Sequence, residues 1–229
     1  GGSASGGKKS SWVVLELSSF QLQDIEISPQ IAVVLDIFPD HQDAHLNLKE
    51  YYEAKTNIAR HQKKDDKIFF LKTSPLSRWV ASKSKGKKIP VSEKGFLLFR
   101  ERDLKIKGAH NFRNAVMAAR VAQSLGVPKH IIIKTAKAFR GLEHRLEFVR
   151  AITIGRPHHA KPYSNVLKNI RIRFYNDSAS TNPQTTIAAI RSFPDQPKIL
   201  ISGGQDKKLD YKPLGRALKN SNTKLVVLF

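Results

Sequence analysis

The 229-residue sequence predicts an α/β fold built from two consecutive parallel-sheet units. Three observations carry this. Short continuous apolar runs, such as WVVLEL at 12–17 and IAVVLDI at 31–37, read as strands covered on both faces, as parallel strands are. Helical patterns separate such runs, which is the alternation a parallel sheet requires. The alternation pauses at 141–145, which reads as a hinge, and then restarts. A boundary between 139 and 150 follows, with units at 1–144 and 145–229.

Taken in order, residues 1–10 are rich in Gly, Ser and Lys and read as a loose lead-in. After the strands at 12–17 and 31–37, a helix is expected over 48–61. Asn47 suits its N-cap, and Glu50 follows three residues later as in a capping box. KIFFL at 67–71 is the next strand, and 96–99 and 104–107 read as short antiparallel strands. Over 111–125, Ala115, Ala118, Val121, Ala122 and Leu125 recur at helical spacing, and Gly126 and Pro128 end the helix. Another helix spans 129–139. In the second unit, strands at 171–175, 198–202 and 224–229 alternate with helices at 183–193 and 214–219, which makes one parallel β-α-β-α-β unit. A Pro/His/Lys-rich loop at 156–169 interrupts it. A chain that stops on an apolar strand reads as a fragment.

Composition narrows the class. There is no cysteine, which excludes a disulfide framework and a thiolate zinc site. No apolar run is long enough to span a bilayer, and no secretory leader is visible, so a cytoplasmic protein is expected with no membrane partner. Forty Lys+Arg against 19 Asp+Glu give a net charge of +21, which attracts polyanions. The basic residues are dispersed, and the densest groups, at 63–67 and 83–88, lie between apolar segments. Without an aromatic signature for RNA, the charge alone supports a nucleic-acid-binding reading, and a specific nucleic-acid partner is not expected.

Several short segments are fit for chemistry. ELSSFQL at 16–22 follows a strand, where ligands of open α/β sheets bind. Glu16 there is either a magnesium ligand or part of a region capped by Ser18 or Ser19. DIFPDHQDAH at 36–45 crowds Asp36, Asp40, His41, Asp43 and His45, a set suited to a hard cation or simply to a polar loop. Lys55, on a part-buried helix face, is either snorkelling or modified. Asn111 and Asn114 share a helix face and either read a purine edge or cap the helix. Arg145 suits a phosphate, or an ion pair with Glu143 or Glu147. NDSASTNP at 176–183 and GGQDKKLD at 203–210 are strand-to-helix loops suited to ribose, phosphate or another anion, Lys207 being in reach of the last. Gly2, Gly7 and Lys8 mimic a P-loop, but Lys9 stands where Ser or Thr is needed and no strand precedes it.

Taken together, ELSSFQL, PDHxDxH, YxxAKxxI, GxHNxxN, HRLE, NDSxxTNP and GGxDK, in that order, resemble the Mur ligase family from Val13 to Phe229. ELSSFQL is most like the branch that adds D-glutamate to UDP-N-acetylmuramoyl-L-alanine in peptidoglycan synthesis. The resemblance implies a partial central ATPase-type domain followed by a partial Rossmann-like C-terminal domain. It implies a monomeric, ATP- and Mg2+-dependent ligase that works through an acyl phosphate. Glu16, His41 and a carbamylated Lys55 would hold the metal and form the catalytic group. Asn111, Asn114, Arg145 and Asp177 would bind ATP. Lys207, Thr181 and Ser19 would lie near the substrates.

There are departures from the family pattern. Ala179 stands where the family loop NDSKATN has lysine, and Ser3 where its GGN loop has asparagine. The insertion at 156–169 is foreign to the pattern. Without the family's P-loop, UDP-binding domain and final strands, this length of chain is expected not to ligate alone. Other Mur-type or folylpolyglutamate synthetase-like amide ligases share several of these motifs, but ELSSFQL argues against them.

Overall fold

The computed structural model describes residues 12–39, 45–154, 170–205 and 209–229. Its first part is a three-stranded parallel sheet in the order β1 (Ile31–Val34), β2 (Lys67–Leu71), β3 (Lys87–Val91). The helices α2 (Leu48–Arg60) and α3 (Pro75–Ser82) make the crossovers, and a short helix α1 (Ser19–Gln23) precedes them. β2 shows how the sheet separates two cores. Ile68 points to one side with Ala32, Val34, Ala59, Val80 and Ala81. Phe69 and Leu71 point to the other with Val91, Phe96, Phe99, Leu104, Val116 and Met117. This is the period-two alternation of a strand covered on both faces. Buried side chains stitch the strands to the crossovers. The Ser77 hydroxyl donates to the Val34 carbonyl (2.8 Å) and accepts from the Leu71 N–H (3.0 Å). Gln62 donates to the carbonyls of Pro29 (2.8 Å) and Lys67 (2.9 Å) and accepts from Ser84 (2.7 Å).

α2 starts as expected, with Asn47 Oδ1 accepting from the Glu50 N–H (3.0 Å). The capping box is not closed. Glu50 instead accepts from the Leu46 N–H (2.6 Å) and from Gln23 of α1 (3.1 Å), so its carboxylate ties two helices together. α1 carries a closed box of its own, between Ser18 and Gln21. The helix α4 (Ala109–Ser124) covers the second core, and α5 (Lys129–Ala138) packs on α4.

Three expectations are corrected, and the elements α3 and β3 had no counterpart among the expectations. Residues 12–17 do not form a strand among the described residues; Trp12, Val13, Val14 and Leu15 are exposed. An apolar run becomes a strand only through a neighbour's hydrogen-bond ladder, and here β1 pairs with β2 alone. Residues 96–99 and 104–107 are not antiparallel strands. Phe96, Phe99 and Leu104 are buried from irregular backbone around a 3-10 turn at Glu101–Asp103. α3 and β3 escaped sequence reading because Lys87-Lys88-Ile89-Pro90-Val91 is too polar to read as a strand, although it is paired along its whole length with β2. Finally, the second unit is not one parallel sheet. β4 (Glu147–Ile154), which lies between the segments expected as hinge and loop and for which no strand is expected, pairs antiparallel with β5 (Ile170–Asn176). β6 (Lys198–Ser202) pairs parallel with β7 (Thr223–Leu228) in a separate two-stranded sheet. The helices α6 (Pro183–Arg191) and α7 (Lys212–Lys219) accompany these strands.

Candidate active site

α4 begins at Gly108, whose φ of 95° no L side chain adopts easily. A Cβ there would also collide with Ser192 and with the His110 ring. The glycine therefore lets the chain turn sharply into the helix that carries Asn111 and Asn114. Gly108, not Asn111, is the N-cap, and the Asn111 amide donates back to the Lys107 carbonyl (2.8 Å). Asn111 and Asn114 both face a cavity of about 550 Å³. Its walls are mostly small and apolar, from Ala115, Ala118 and Ala122 of α4 and Ile131 and Thr135 of α5. Arg145 also lines it. The alanines leave a slot between the two helices, and two amides and a guanidinium are among the groups that line it. That arrangement suits a flat, polar-edged ring bearing an anionic tail.

Arg145 is placed by an unusual turn. His144 and Leu146 flank it with φ of 63° and 49°, and Gly141 before it has 97°. Each non-glycine residue in that region costs on the order of 1 kcal/mol and needs outside support. The NDSAS loop supplies it. Asp177 Oδ1 accepts from the Leu146 N–H (2.8 Å), the Ala179 N–H donates to the His144 carbonyl (3.0 Å), and Asn176 bonds the His144 ring (2.8 Å). Two motifs some 30 residues apart in sequence thus form one structure. Asp177 acts there through Arg145's own turn, and its other carboxylate oxygen accepts from Ser180. Asp177 also faces His110. Burial holds the His110 imidazole below its ordinary value near 6.5, Asp177 and Glu101 oppose that, and Arg113 adds to it.

The other candidates fall elsewhere. Glu16 is exposed on the extended segment before α1. Lys55 is half-buried on α2, with its ammonium 4.9 Å from the centre of the Tyr51 ring. Ser19 is buried, and its hydroxyl bonds His45 Nε2 (2.9 Å). His45 in turn stacks on Phe20 and meets the edge of Tyr51. Thr181 is exposed just before α6, whose N-cap Asn182 accepts from the Thr185 N–H (3.0 Å). His41 and Lys207, like Asp40 and Asp43 and the loop at 156–169, lie outside the described residues. Among the described residues no three side chains are grouped to hold a metal ion. A carboxylate, an imidazole and a carbamate oxygen are nonetheless donors that a hard divalent cation takes.

Sequence reading missed an ion cluster on the far side of α4. Arg113 donates to Asp36, just beyond β1, at 2.6 Å and lies 3.4 Å from Glu93, just beyond β3. By sequence Asp36 falls among possible metal ligands. Only its charge was visible in the sequence, because its partner lies 77 residues away.

The comparisons with known proteins agree with this architecture. Residues 5–97 match the Mur ligase middle domain. The chain belongs to the Mur ligase family. It is 36% identical to the UDP-N-acetylmuramoylalanine–D-glutamate ligase of Acetivibrio thermocellus, over 94% of this chain and 47% of that protein. It is 35% identical to the ligase of the same name from Clostridium acetobutylicum, over 88% of this chain and 44% of that protein. The chain thus spans about half the length of the curated relatives it matches. Among solved structures, MurF of Acinetobacter baumannii superposes with a TM-score of 0.63 at 18% identity, over 91% of this chain and 52% of that one. The UDP-N-acetylmuramate–alanine ligase MurC of Thermotoga maritima superposes with a TM-score of 0.57 at 17% identity, over 93% and 48%. The fold is that of these multi-domain α/β proteins. No helix among the described residues is long and apolar enough to cross a membrane.

Proposed function

We propose that this chain is the nucleotide-binding part of a cytoplasmic, monomeric ligase that uses ATP to join D-glutamate to UDP-N-acetylmuramoyl-L-alanine. The observation that carries the reading is the cavity between α4 and α5, which gathers Asn111, Asn114 and Arg145 on one surface. The identities to D-glutamate ligases support the choice of amino acid. In this reading the slot takes the adenine, with the asparagine amides on its polar edge, and Arg145 meets the phosphates. Asp177 holds Arg145's turn and contacts ATP. Residues 1–144 and 145–229 act as separate domains, with the nucleotide near their junction.

The reaction has two steps. A carboxylate oxygen of UDP-N-acetylmuramoyl-L-alanine attacks the γ-phosphorus of ATP, and ADP leaves. The amine of D-glutamate then attacks the acyl carbon; phosphate leaves and the nitrogen loses a proton. The protein's task is to position the reactants and to offset the negative charge that gathers on oxygen. Lys207 and Thr181 serve the incoming glutamate, and Ser19 lies beside the sugar-nucleotide substrate. Glu16, His41 and a carbamylated Lys55 would hold Mg2+, which supplies charge neutralisation at the phosphoryl oxygens. An unmodified Lys55 ammonium would repel the cation, whereas a carbamate supplies oxygen donors.

The test is co-substrate-dependent ADP release from the full-length ligase. D-Glutamate is expected to support it, and L-alanine and meso-diaminopimelate are not; release driven best by either of those would sink the reading. Lys55→Ala should abolish most turnover and be partly restored by bicarbonate or short carboxylic acids, and Lys55→Arg should do no better. Near-normal Lys55→Arg turnover would return Lys55 to a packing role.

A further inference from the structure

We infer that Arg113 is a positioning residue, which locks the rotation of α4 so that Asn111 and Asn114 face the cavity. The inference rests on the nucleotide reading of that cavity. On a helix, successive residues are 100° apart, so Arg113 lies almost opposite the face shared by Asn111, Asn114, Ala115 and Ala118. Its guanidinium binds Asp36 at 2.6 Å and lies 3.4 Å from Glu93. The three side chains are about one-quarter to one-third exposed (26%, 27% and 33%). They are sheltered enough for the pairing to hold one geometry.

The two carboxylates follow the carboxyl ends of different strands. Asp36 lies two residues past β1, and Glu93 two past β3. β1 and β3 are the outer strands of the three-stranded sheet. One planar guanidinium therefore reaches both edges of the sheet, hydrogen-bonded to Asp36 at one and in ion-pair range of Glu93 at the other, where its Nε makes no hydrogen bond, a task for which a lysine's single point charge is a poor substitute. Apolar packing holds α4 down: Val116, Met117 and Ala119 are buried against the sheet. Such packing is non-directional and tolerates some rotation, whereas the paired charges do not. Asp36 also belongs to the loop that leads to the expected metal ligand His41. Arg113 thus connects the base-binding helix with the segment expected to carry the metal.

The experiment is an NMR titration of this chain with ADP, following the side-chain amides of Asn111 and Asn114. Melting temperature is measured alongside to separate affinity from stability. The variants are Arg113→Met, Arg113→Lys, Asp36→Asn and the double variant Arg113→Met with Asp36→Asn. The expected result is that ADP shifts both amides in the wild type. Arg113→Met and Asp36→Asn should each weaken binding by about five- to tenfold, and the double variant by no more than Arg113→Met alone, because one interaction is lost. Arg113→Lys should recover part of the melting temperature but little of the affinity. Folded single variants that bind ADP as the wild type does would overturn the positioning role and leave the nucleotide reading intact. A wild type whose Asn111 and Asn114 amides ignore ADP would overturn both. Should Arg113→Met not fold, Asp36→Asn and Glu93→Gln decide the matter, because each keeps its side chain's size and removes one charge.

Discussion

His110 shows how a single residue reports on its surroundings. It sits at the start of α4 between Gly108 and the Asp177 loop, and burial lowers its pKa from the ordinary value near 6.5. In the folded chain it resists protonation, so between its folded value and about 6.5 the unfolded chain binds more protons. Its contribution to stability is therefore complete above pH 6.5 and is lost as the pH falls through the folded value. Melting temperature should drop between pH 7 and pH 5, and His110→Gln should flatten that part of the profile. An unchanged slope in His110→Gln would show that other groups govern it. In the sequence His110 was only a letter in GAHNFRN; its surroundings come from Asp177 and Ser192, which lie more than 60 residues away.

At the scale of elements, the entry into α4 is a tightly constrained joint. Gly108 combines a left-handed φ with a backbone that passes directly against Ser192 and the His110 ring. Gly108→Ala should destabilise the chain by more than about 1 kcal/mol, through strain and through displacement of Ser192. By contrast Gly126, which also has positive φ but open space around it, should cost only the conformational part. Comparison of the two alanine variants by denaturant titration checks this, and equal losses would count against the close approach. Five of the helices were legible from sequence, whereas α1 and α3 were not. α2, α4, α5 and α6 lie within a residue or two of their expected limits because caps, glycines and prolines act locally.

For the molecule as a whole, the strands fall into sheets that do not mix. One is built from residues 31–91, and the others from 147–176 and 198–228. The boundary proposed between 139 and 150 predicts two unfolding units. Limited proteolysis should cut within that span first, and differential scanning calorimetry should resolve two transitions. A single transition with equal calorimetric and van't Hoff enthalpies would argue for one cooperative body. ADP should raise both transitions if the nucleotide bridges the units, and only the first if α4 and α5 alone bind it.

By itself, the sequence determined what depends on neighbours along the chain: the helices α2, α4, α5, α6 and α7, the Asn47 cap of α2, the apolar strands β2, β6 and β7, and the order of motifs that identifies the family. Asn111 and Asn114 could be placed on one face because helical spacing is a local rule. The tertiary structure decided everything that depends on distant partners. It left residues 12–17 unpaired, turned β4 and β5 into an antiparallel pair, and drew Lys87-Lys88-Ile89-Pro90-Val91 into the sheet beside β2. It also joined the HRLE turn to the NDSAS loop, and Arg113 to Asp36. Strand pairing and ion pairing are energies between residues far apart in sequence, so no local pattern encodes which partner will be met.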